Sequence, residues 1–209
     1  MKIKVCGLRD PDNIKAITAL EPDYMGFIFY DRTPRFVGDI DVKILNDIPS
    51  TIIKTAVFVN ESIEGISTII NKYKFDAIQL HGSEGPEICA EFKDKVKIIK
   101  AFGISEDFNF QDLAAYVDHV DYFLFDTKTS IHGGSGETYD WGILDNYKFD
   151  IPFFLSGGLS LGNLESVKEI DHQQFYGVDL NSRFELSPAL KNIEKLQIAF
   201  EMLQQYDNL

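Results

Sequence analysis

The sequence predicts an α/β protein, a single-domain (β/α)8 TIM barrel with parallel strands over residues 1–209. Eight short β-rich runs recur at intervals of about 20 to 25 residues, and each is followed by a polar turn and a stretch with helical spacing. Several runs are nearly all apolar, as parallel strands covered on both faces are. A doubly wound sheet would share most of this pattern, and the count of eight favours the barrel.

The strands are predicted where β-branched, aromatic and other apolar residues cluster between polar turns. In chain order they are Lys2–Cys6, Tyr24–Phe29, Ile52–Val59, Ala77–Leu80, Lys97–Phe102, Tyr122–Phe125, Phe153–Leu155 and Phe175–Val178. Barrel enzymes carry their active sites at the carboxyl ends of the strands, so the residues that follow each run are the candidates for function.

Capping signals predict where the helices begin. Asp10 followed by Pro11 marks the first helix, and Ser187 followed by Pro188 marks the last in the same way. The second helix is predicted within the short stretch 38–48, the fifth begins between Ser105 and Phe110, and the seventh begins near Leu161.

Composition and charge narrow the class of partner. The chain has 33 acidic and 20 basic residues, a net charge of −13, which would repel nucleic acid and anionic membranes. No run of about 18 apolar residues occurs, so we expect a cytoplasmic protein with no membrane partner. The two cysteines and four histidines are scattered, which predicts neither a disulfide nor a zinc framework.

The loop after the seventh strand predicts an anion site. In "LSGGL", Gly157 and Gly158 let backbone N–H groups approach a ligand, and a helix N-terminus follows. Barrels frequently hold phosphate between the loops after strands seven and eight. The alternative is that the two glycines serve only a tight turn.

Two reactive groups end the first and sixth strands. Cys6 could have a lowered pKa near an anion-binding rim and act as a base or nucleophile, or it could be apolar filling, as Cys89 is expected to be. Asp126 ends an apolar strand and is a candidate general acid. It could equally cap backbone or pair with Lys128.

Two further polar residues follow strands two and four. Arg35 comes after a stiffening Pro34 and could hold a carboxylate in two hydrogen bonds, or form a surface ion pair with Asp31 or Asp39. His81 is either a ligand contact or a polar residue of the rim. The glycine-containing loop after strand six lacks the flanking pattern of a nucleotide-binding loop, so no ATP or dinucleotide is expected.

Six of the eight strand ends together carry a family pattern. The motifs are "KVCGLRD", "RTPRFV", "IQLHG", "FDTK" with "GGSGETYDW", "LSGGL" and "GVDLNSRFE", in order from residue 2 to about residue 185. This set resembles the phosphoribosylanthranilate isomerase family of tryptophan biosynthesis. The resemblance implies an enzyme that converts N-(5-phosphoribosyl)anthranilate to 1-(2-carboxyphenylamino)-1-deoxyribulose 5-phosphate, an Amadori rearrangement that needs neither metal nor organic cofactor.

The resemblance also implies roles for individual residues. Cys6 would be the general base, Asp126 the general acid, and Arg35 would hold the anthranilate carboxylate. Where many relatives read Asp-x-Ser-Ser-Gly after strand eight, this chain has Arg183 in place of the glycine, and its side chain either contacts the phosphate or turns away. The phosphate would be held by Gly157, Gly158, Asn181, Ser182 and Arg183, and Asp179 would face the sugar hydroxyls.

Two other functions remain to be distinguished. The related isomerase of histidine biosynthesis would be expected to use two aspartates, whereas the first strand here ends in Cys6. A non-catalytic sensor of a phosphorylated metabolite would keep the anion contacts without a reason to keep both Cys6 and Asp126. The expected partner is a small phosphorylated molecule, and the chain is expected to act as a monomer or homodimer.

Overall fold

Eight parallel strands close into a barrel in the computed structural model, which describes residues 1–127 and 141–204. Each strand pairs with its neighbours in the chain, and the eighth pairs with the first, so the predicted barrel is confirmed and a doubly wound sheet is excluded. The strands are β1 Lys2–Cys6, β2 Tyr24–Ile28, β3 Ile53–Phe58, β4 Ala77–Leu80, β5 Lys97–Ile104, β6 Tyr122–Thr127, β7 Phe153–Ser156 and β8 Phe175–Leu180.

Helices connect the strands and cover the outside of the barrel. The first begins as predicted, since Asp10 accepts a hydrogen bond from the Asn13 N–H at 2.8 Å and Pro11 follows it. No helix within the described residues is both long and apolar enough to cross a membrane. The α-helices of this part are α1 Pro11–Thr18, α2 Val42–Asn46, α3 Ile63–Tyr73, α4 Pro86–Phe92, α5 Leu164–Val167 and α6 Ile193–Gln204, and 3₁₀ helices cover Phe110–Tyr116, Trp141–Asn146 and Ser182–Phe184.

The predicted start of the last helix at Ser187 is wrong. Ser187 instead ends strand β9 (Glu185–Ser187), which pairs antiparallel with β10 (Leu190–Lys191). The helix begins at Ile193, after Asn192, whose side chain accepts a hydrogen bond from the Lys195 N–H at 3.0 Å. The Ser187-Pro188 pair therefore belongs to a hairpin, and the side chain that caps the helix is Asn192, five residues later.

The predicted start of the seventh helix near Leu161 is also wrong. Asn163 accepts a hydrogen bond from the Ser160 N–H at 2.8 Å, and this side-chain turn fills the interval before the helix begins at Leu164. The fifth connection is a 3₁₀ helix that starts at Phe110, with Asn109 accepting from the Gln111 N–H at 3.2 Å. The fifth connection therefore begins within its predicted range of 105–110, whereas the seventh helix begins after its predicted start.

The barrel interior is apolar at the amino ends of the strands and polar towards the carboxyl ends. Tyr24, Tyr122, Tyr176 and Phe154 pack edge to face or tilted at the amino end. Tyr24 and Phe154 are buried, and full burial of an aromatic side chain contributes about 1.5–3 kcal/mol to folding, so this layer stabilises the barrel. The polar layer above it consists of Lys4, Thr55, Gln79, Ser156 and Asp179, each at most 8% exposed.

Candidate active site

A cavity of about 550 Å³ opens at the carboxyl ends of the strands. Residues that are far apart in the chain meet on its wall, among them a thiol, two carboxyl groups and an imidazole, so one small ligand there could contact several of them at once. Neither Arg35 nor Arg183 is among the described residues that line it. The predicted site residues that the structure brings together on this cavity are Cys6, His81, Asp126, Gly157, Gly158, Asp179, Asn181 and Ser182.

Cys6 is the last residue of β1, and its thiol occupies space that a glycine leaves open. A Cβ added to Gly26, opposite Cys6 on β2, would lie 2.6 Å from Sγ. The Cys6 residue is 2% exposed yet lines the cavity. The thiol therefore borders the cavity although it is almost completely shielded from solvent.

The protonation of Cys6 differs from the expectation. Burial raises the pKa of the Cys6 thiol above its ordinary value of 9.0, and the nearby Asp179 carboxylate raises the pKa further. The ammonium groups of Lys4 and Lys191 act in the opposite direction without overcoming burial. The predicted lowering of this pKa is therefore wrong, because desolvation outweighs the neighbouring cations.

Asp179 is held by Lys4 and keeps one oxygen free. Lys4 Nζ lies 3.0 Å from Asp179 Oδ2, with both side chains at most 4% exposed. Asp179 Oδ1 is buried and has no hydrogen-bond partner in the part of the chain that the structure describes. An unsatisfied buried acceptor costs about 1–3 kcal/mol, so a ligand hydroxyl that donated to Oδ1 would recover that energy.

Asp126 is joined to β4 through a short side-chain relay. Asp126 Oδ2 lies 3.1 Å from His81 Nε2, and His81 Nδ1 lies 2.8 Å from the Gln79 amide nitrogen. With the Gln79 amide N–H donating to Nδ1, the His81 Nε2–H is the group that donates to the Asp126 carboxyl oxygen. Asp126 is 38% exposed, which places it at the rim rather than in the core, and Lys128, its alternative partner, lies outside the described residues.

The glycine pair after β7 has the backbone conformation that a close-fitting loop requires. Gly157 and Gly158 have φ values of +89° and +64°, in the left-handed region that side chains disfavour. Both residues line the cavity, as do Asn181 and Ser182 from the loop after β8. Arg183 is exposed and is not among the described residues that line the cavity.

Arg35 has a partner that the sequence analysis did not consider. Its Nε lies 2.9 and 3.0 Å from the two carboxylate oxygens of Glu185, and its Nη2 lies 2.6 Å from Oε2. The proposed ion pairs with Asp31 or Asp39 are therefore wrong, and Asp39 pairs with Lys72 at 2.6 Å. The motif "GVDLNSRFE" contained Glu185, but nothing in its spacing linked it to a residue 150 positions earlier.

Lys100 and Glu84 form a second buried network that fixes the loop after β4. Lys100 Nζ donates to the carbonyls of Leu80 and Gly82 at 3.2 and 2.8 Å and lies 3.2 Å from Glu84 Oε2. Glu84 also accepts from the N–H groups of Asn60 and Gly82. Because Leu80 and Gly82 flank His81, the network holds the backbone on both sides of His81.

Cys89 is fully buried on α4, as its reading as apolar filling predicted. Across residues 1–127 and 141–204, no three His, Cys, Asp or Glu side chains are grouped so that they could hold a metal ion. The loop predicted to carry Gly133, Gly134 and Gly136 lies outside the described residues.

Side chains suited to proton transfer therefore meet at the end of the barrel where enzymes of this architecture carry out their chemistry. Two glycines beside them open the backbone to an anion. The fold and the site together define the class of (β/α)8-barrel enzymes that perform acid–base chemistry on a small anionic ligand.

Comparison with known proteins narrows the class. The family described as N-(5'phosphoribosyl)anthranilate (PRA) isomerase matches residues 3–202. The chain is 44% identical over 200 residues to an N-(5'-phosphoribosyl)anthranilate isomerase of Parabacteroides distasonis, covering 94% of this chain and 90% of that protein. The chain thus belongs to the N-(5'-phosphoribosyl)anthranilate isomerase family.

Solved structures share the fold. Phosphoribosyl anthranilate isomerase from Thermotoga maritima superposes with a TM-score of 0.83 at 28% identity, and the match covers all of both chains. Another such isomerase, solved in complex with reduced 1-(o-carboxyphenylamino)-1-deoxyribulose 5-phosphate, superposes with a TM-score of 0.82 at 24% identity, covering 98% of this chain and 99% of that one.

Proposed function

We propose that this chain catalyses the Amadori rearrangement of N-(5-phosphoribosyl)anthranilate to 1-(2-carboxyphenylamino)-1-deoxyribulose 5-phosphate in tryptophan biosynthesis. The observation that carries the proposal is the meeting of Cys6 and Asp126 on one cavity of a chain in this family. Residues 1–209 act as one catalytic domain in the cytoplasm, alone or as a homodimer. The partner is a small phosphorylated substrate rather than nucleic acid or a membrane.

Asp126 begins the reaction as the general acid. Its carboxyl group gives a proton to the furanose ring oxygen, the bond from that oxygen to C1 breaks, and C1 and the nitrogen form a protonated imine. His81 orients the carboxyl group through their 3.1 Å hydrogen bond. The exposure of Asp126 at the rim gives it access to water, from which it can be reprotonated.

Cys6 completes the reaction as the general base. As a thiolate it removes the proton from C2, and the electron pair moves to form an enol and neutralise the imine nitrogen. The enol then ketonises, with C1 gaining a proton, so the product is an isomer of the substrate. The positive charge of the imine favours a thiolate beside it, and this charge is present only after the ring has opened.

Anion contacts at both ends of the substrate hold the reacting carbons between these two groups. Gly157 and Gly158, with Asn181 and Ser182, bind the phosphate through backbone and side-chain donors, and Arg183 can add a contact by turning inward. Arg35 binds the anthranilate carboxylate, and the free Oδ1 of Asp179 accepts from a sugar hydroxyl. Fixing both ends converts the proton transfers into reactions of one oriented complex.

The test is the loss of substrate fluorescence on adding enzyme. We expect Cys6→Ser and Asp126→Asn each to lower kcat by about 10²–10⁴-fold while binding of the reduced product analogue is largely kept. Cys89→Ser is the matched control and should turn over like the parent protein. If Cys6→Ser and Asp126→Asn also turn over like the parent, the assigned roles are wrong. If the parent protein binds the analogue but does not turn over the substrate, the chain is a sensor and not an isomerase.

A further inference from the structure

We propose that Glu185 is a positioning residue that orients Arg35 and thereby makes the site selective for a ligand carrying an aryl carboxylate. This inference rests on the proposed function, in which Arg35 binds that carboxylate. Glu185 itself is too deeply buried to meet the ligand, since its side chain is 5% exposed, whereas that of Arg35 is 22% exposed.

The hydrogen bonds between the two side chains decide which face of the guanidinium remains available. Glu185 occupies the edge formed by Nε and Nη2, at 2.6 to 3.0 Å. A guanidinium has five N–H donors in a planar fork, so the adjacent edge, formed by Nη1 and the second Nη2 hydrogen, is left for a ligand. Two parallel N–H groups on that edge match the two oxygens of a carboxylate.

Glu185 can orient Arg35 because Glu185 is itself fixed. Its Oε1 accepts from Lys191 Nζ at 2.8 Å and from the Ala189 N–H at 3.1 Å. The Lys191 backbone is in turn held on both sides by Asn13, with hydrogen bonds of 2.8 and 2.9 Å. Burial would raise the pKa of Glu185, but the hydrogen bonds from Arg35 and Lys191 outweigh burial, so the net pKa lies below its ordinary value.

The same network reaches the loop that is proposed to hold phosphate. Lys191 Nζ donates to Asn181 Oδ1 at 2.7 Å as well as to Glu185. Arg35, Lys191 and Glu185 together carry one net positive charge, which suits an incoming anion. Gly7 makes this close arrangement possible, because a Cβ there would lie 2.8 Å from Asn181 Oδ1 and 3.1 Å from Arg35 Cδ.

A buried ion pair could also serve stability alone, so the experiment needs a readout that stability would not move. Calorimetric binding of two compounds supplies it: reduced 1-(o-carboxyphenylamino)-1-deoxyribulose 5-phosphate and the counterpart prepared from aniline, which lacks the carboxylate. Glu185→Gln should weaken binding of the first compound about 10–100-fold, as expected for loss of charge-assisted hydrogen bonds, and change binding of the second less than about 2-fold.

Two further variants complete the design. Glu185→Asp keeps the charge but is one methylene shorter, so it should show an intermediate loss for the carboxylate compound alone, and it supplies the test if Glu185→Gln does not fold. Glu165→Gln, whose side chain is 71% exposed on α5, is the matched control and should bind both compounds like the parent.

Arg35→Met separates this inference from the proposed function. If Arg35→Met loses affinity only for the carboxylate compound while the folded Glu185 variants bind both compounds like the parent, the positioning role of Glu185 is refuted and the carboxylate contact stands. If the Glu185 variants weaken both compounds equally, the role is structural and the inference is also refuted. If Arg35→Met binds both compounds like the parent, the carboxylate contact in the proposed function is itself wrong.

Discussion

Gly26→Ala should displace the thiol of Cys6 and so lower activity, while leaving Cys6 itself unchanged. A Cβ at position 26 would lie 2.6 Å from Cys6 Sγ and 3.1 Å from both Cα and Cβ of Cys6. Non-bonded heavy atoms of this kind prefer a separation of about 3.5–4.0 Å, so the sulfur has to move by about 1 Å. The backbone contacts are tight as well, which leaves movement of the thiol as the easiest response.

The displacement predicts two separate effects. A reacting group misplaced by 1 Å can cost about 10²-fold in rate, so kcat should fall by about that factor. Overpacking should cost about 1–3 kcal/mol of unfolding free energy, partly offset by about 0.4–1 kcal/mol because alanine restricts the unfolded chain. For a chain of this size each kcal/mol moves the melting temperature by about 2–4 °C.

The assay compares Gly26→Ala with a second Gly→Ala variant by fluorescence turnover and thermal unfolding. At Gly162 the nearest atom to a new Cβ is Ser160 Oγ at 3.7 Å, an ordinary contact. Gly162→Ala therefore shares the unfolded-state effect but none of the crowding, and should keep parent activity. Parent-like kcat in Gly26→Ala would refute the reasoning that the position of the Cys6 sulfur limits the reaction.

Three further predictions concern buried charges. The Lys4 ammonium lowers the pKa of Cys6 against the effect of burial, so Lys4→Met should raise that pKa. Alkylation of Cys6 by iodoacetamide, measured by mass spectrometry, should then require a higher pH, and an unchanged pH profile would exclude this action of Lys4. Lys100→Met leaves Glu84 as an unpaired buried charge and should cost about 3–5 kcal/mol in urea unfolding, against which a cost below about 1 kcal/mol would count. Because the pKa of Glu185 is lowered on folding, its ionised carboxylate stabilises the protein fully above pH 4.5, and this stabilisation is lost as the pH falls through the pKa of the folded state. Glu185→Gln should therefore make the unfolding free energy decline less steeply over that acid range. A decline as steep as that of the parent protein would contradict this prediction.

The architecture could be predicted because its signals are local. Each strand is a short apolar run, and the observed strands overlap every predicted one, differing by a residue or two at their ends. The signal for the start of α1 is equally local, since Asp10 caps a backbone N–H three residues away. The predicted start of α6 was wrong because Ser187 and Pro188 form the same local pattern, while the hairpin that overrides it is held by Glu185, which bonds to the distant Arg35 and accepts from the Ala189 N–H.

The positions of Cys6 and Asp126 could be predicted for a related reason, whereas the direction of the pKa shift of Cys6 could not. A residue that follows a parallel strand reaches the carboxyl end of the barrel whatever its neighbours are, so Cys6 and Asp126 were bound to share one mouth once the strands were counted. The pKa of Cys6 depends instead on how dry that position is and on Lys4, Asp179 and Lys191, two of which lie more than 170 residues away in the chain. Desolvation and long-range charges arise only when the barrel closes, so the sequence predicts a thiol at the rim but not the direction in which the pKa of that thiol is shifted.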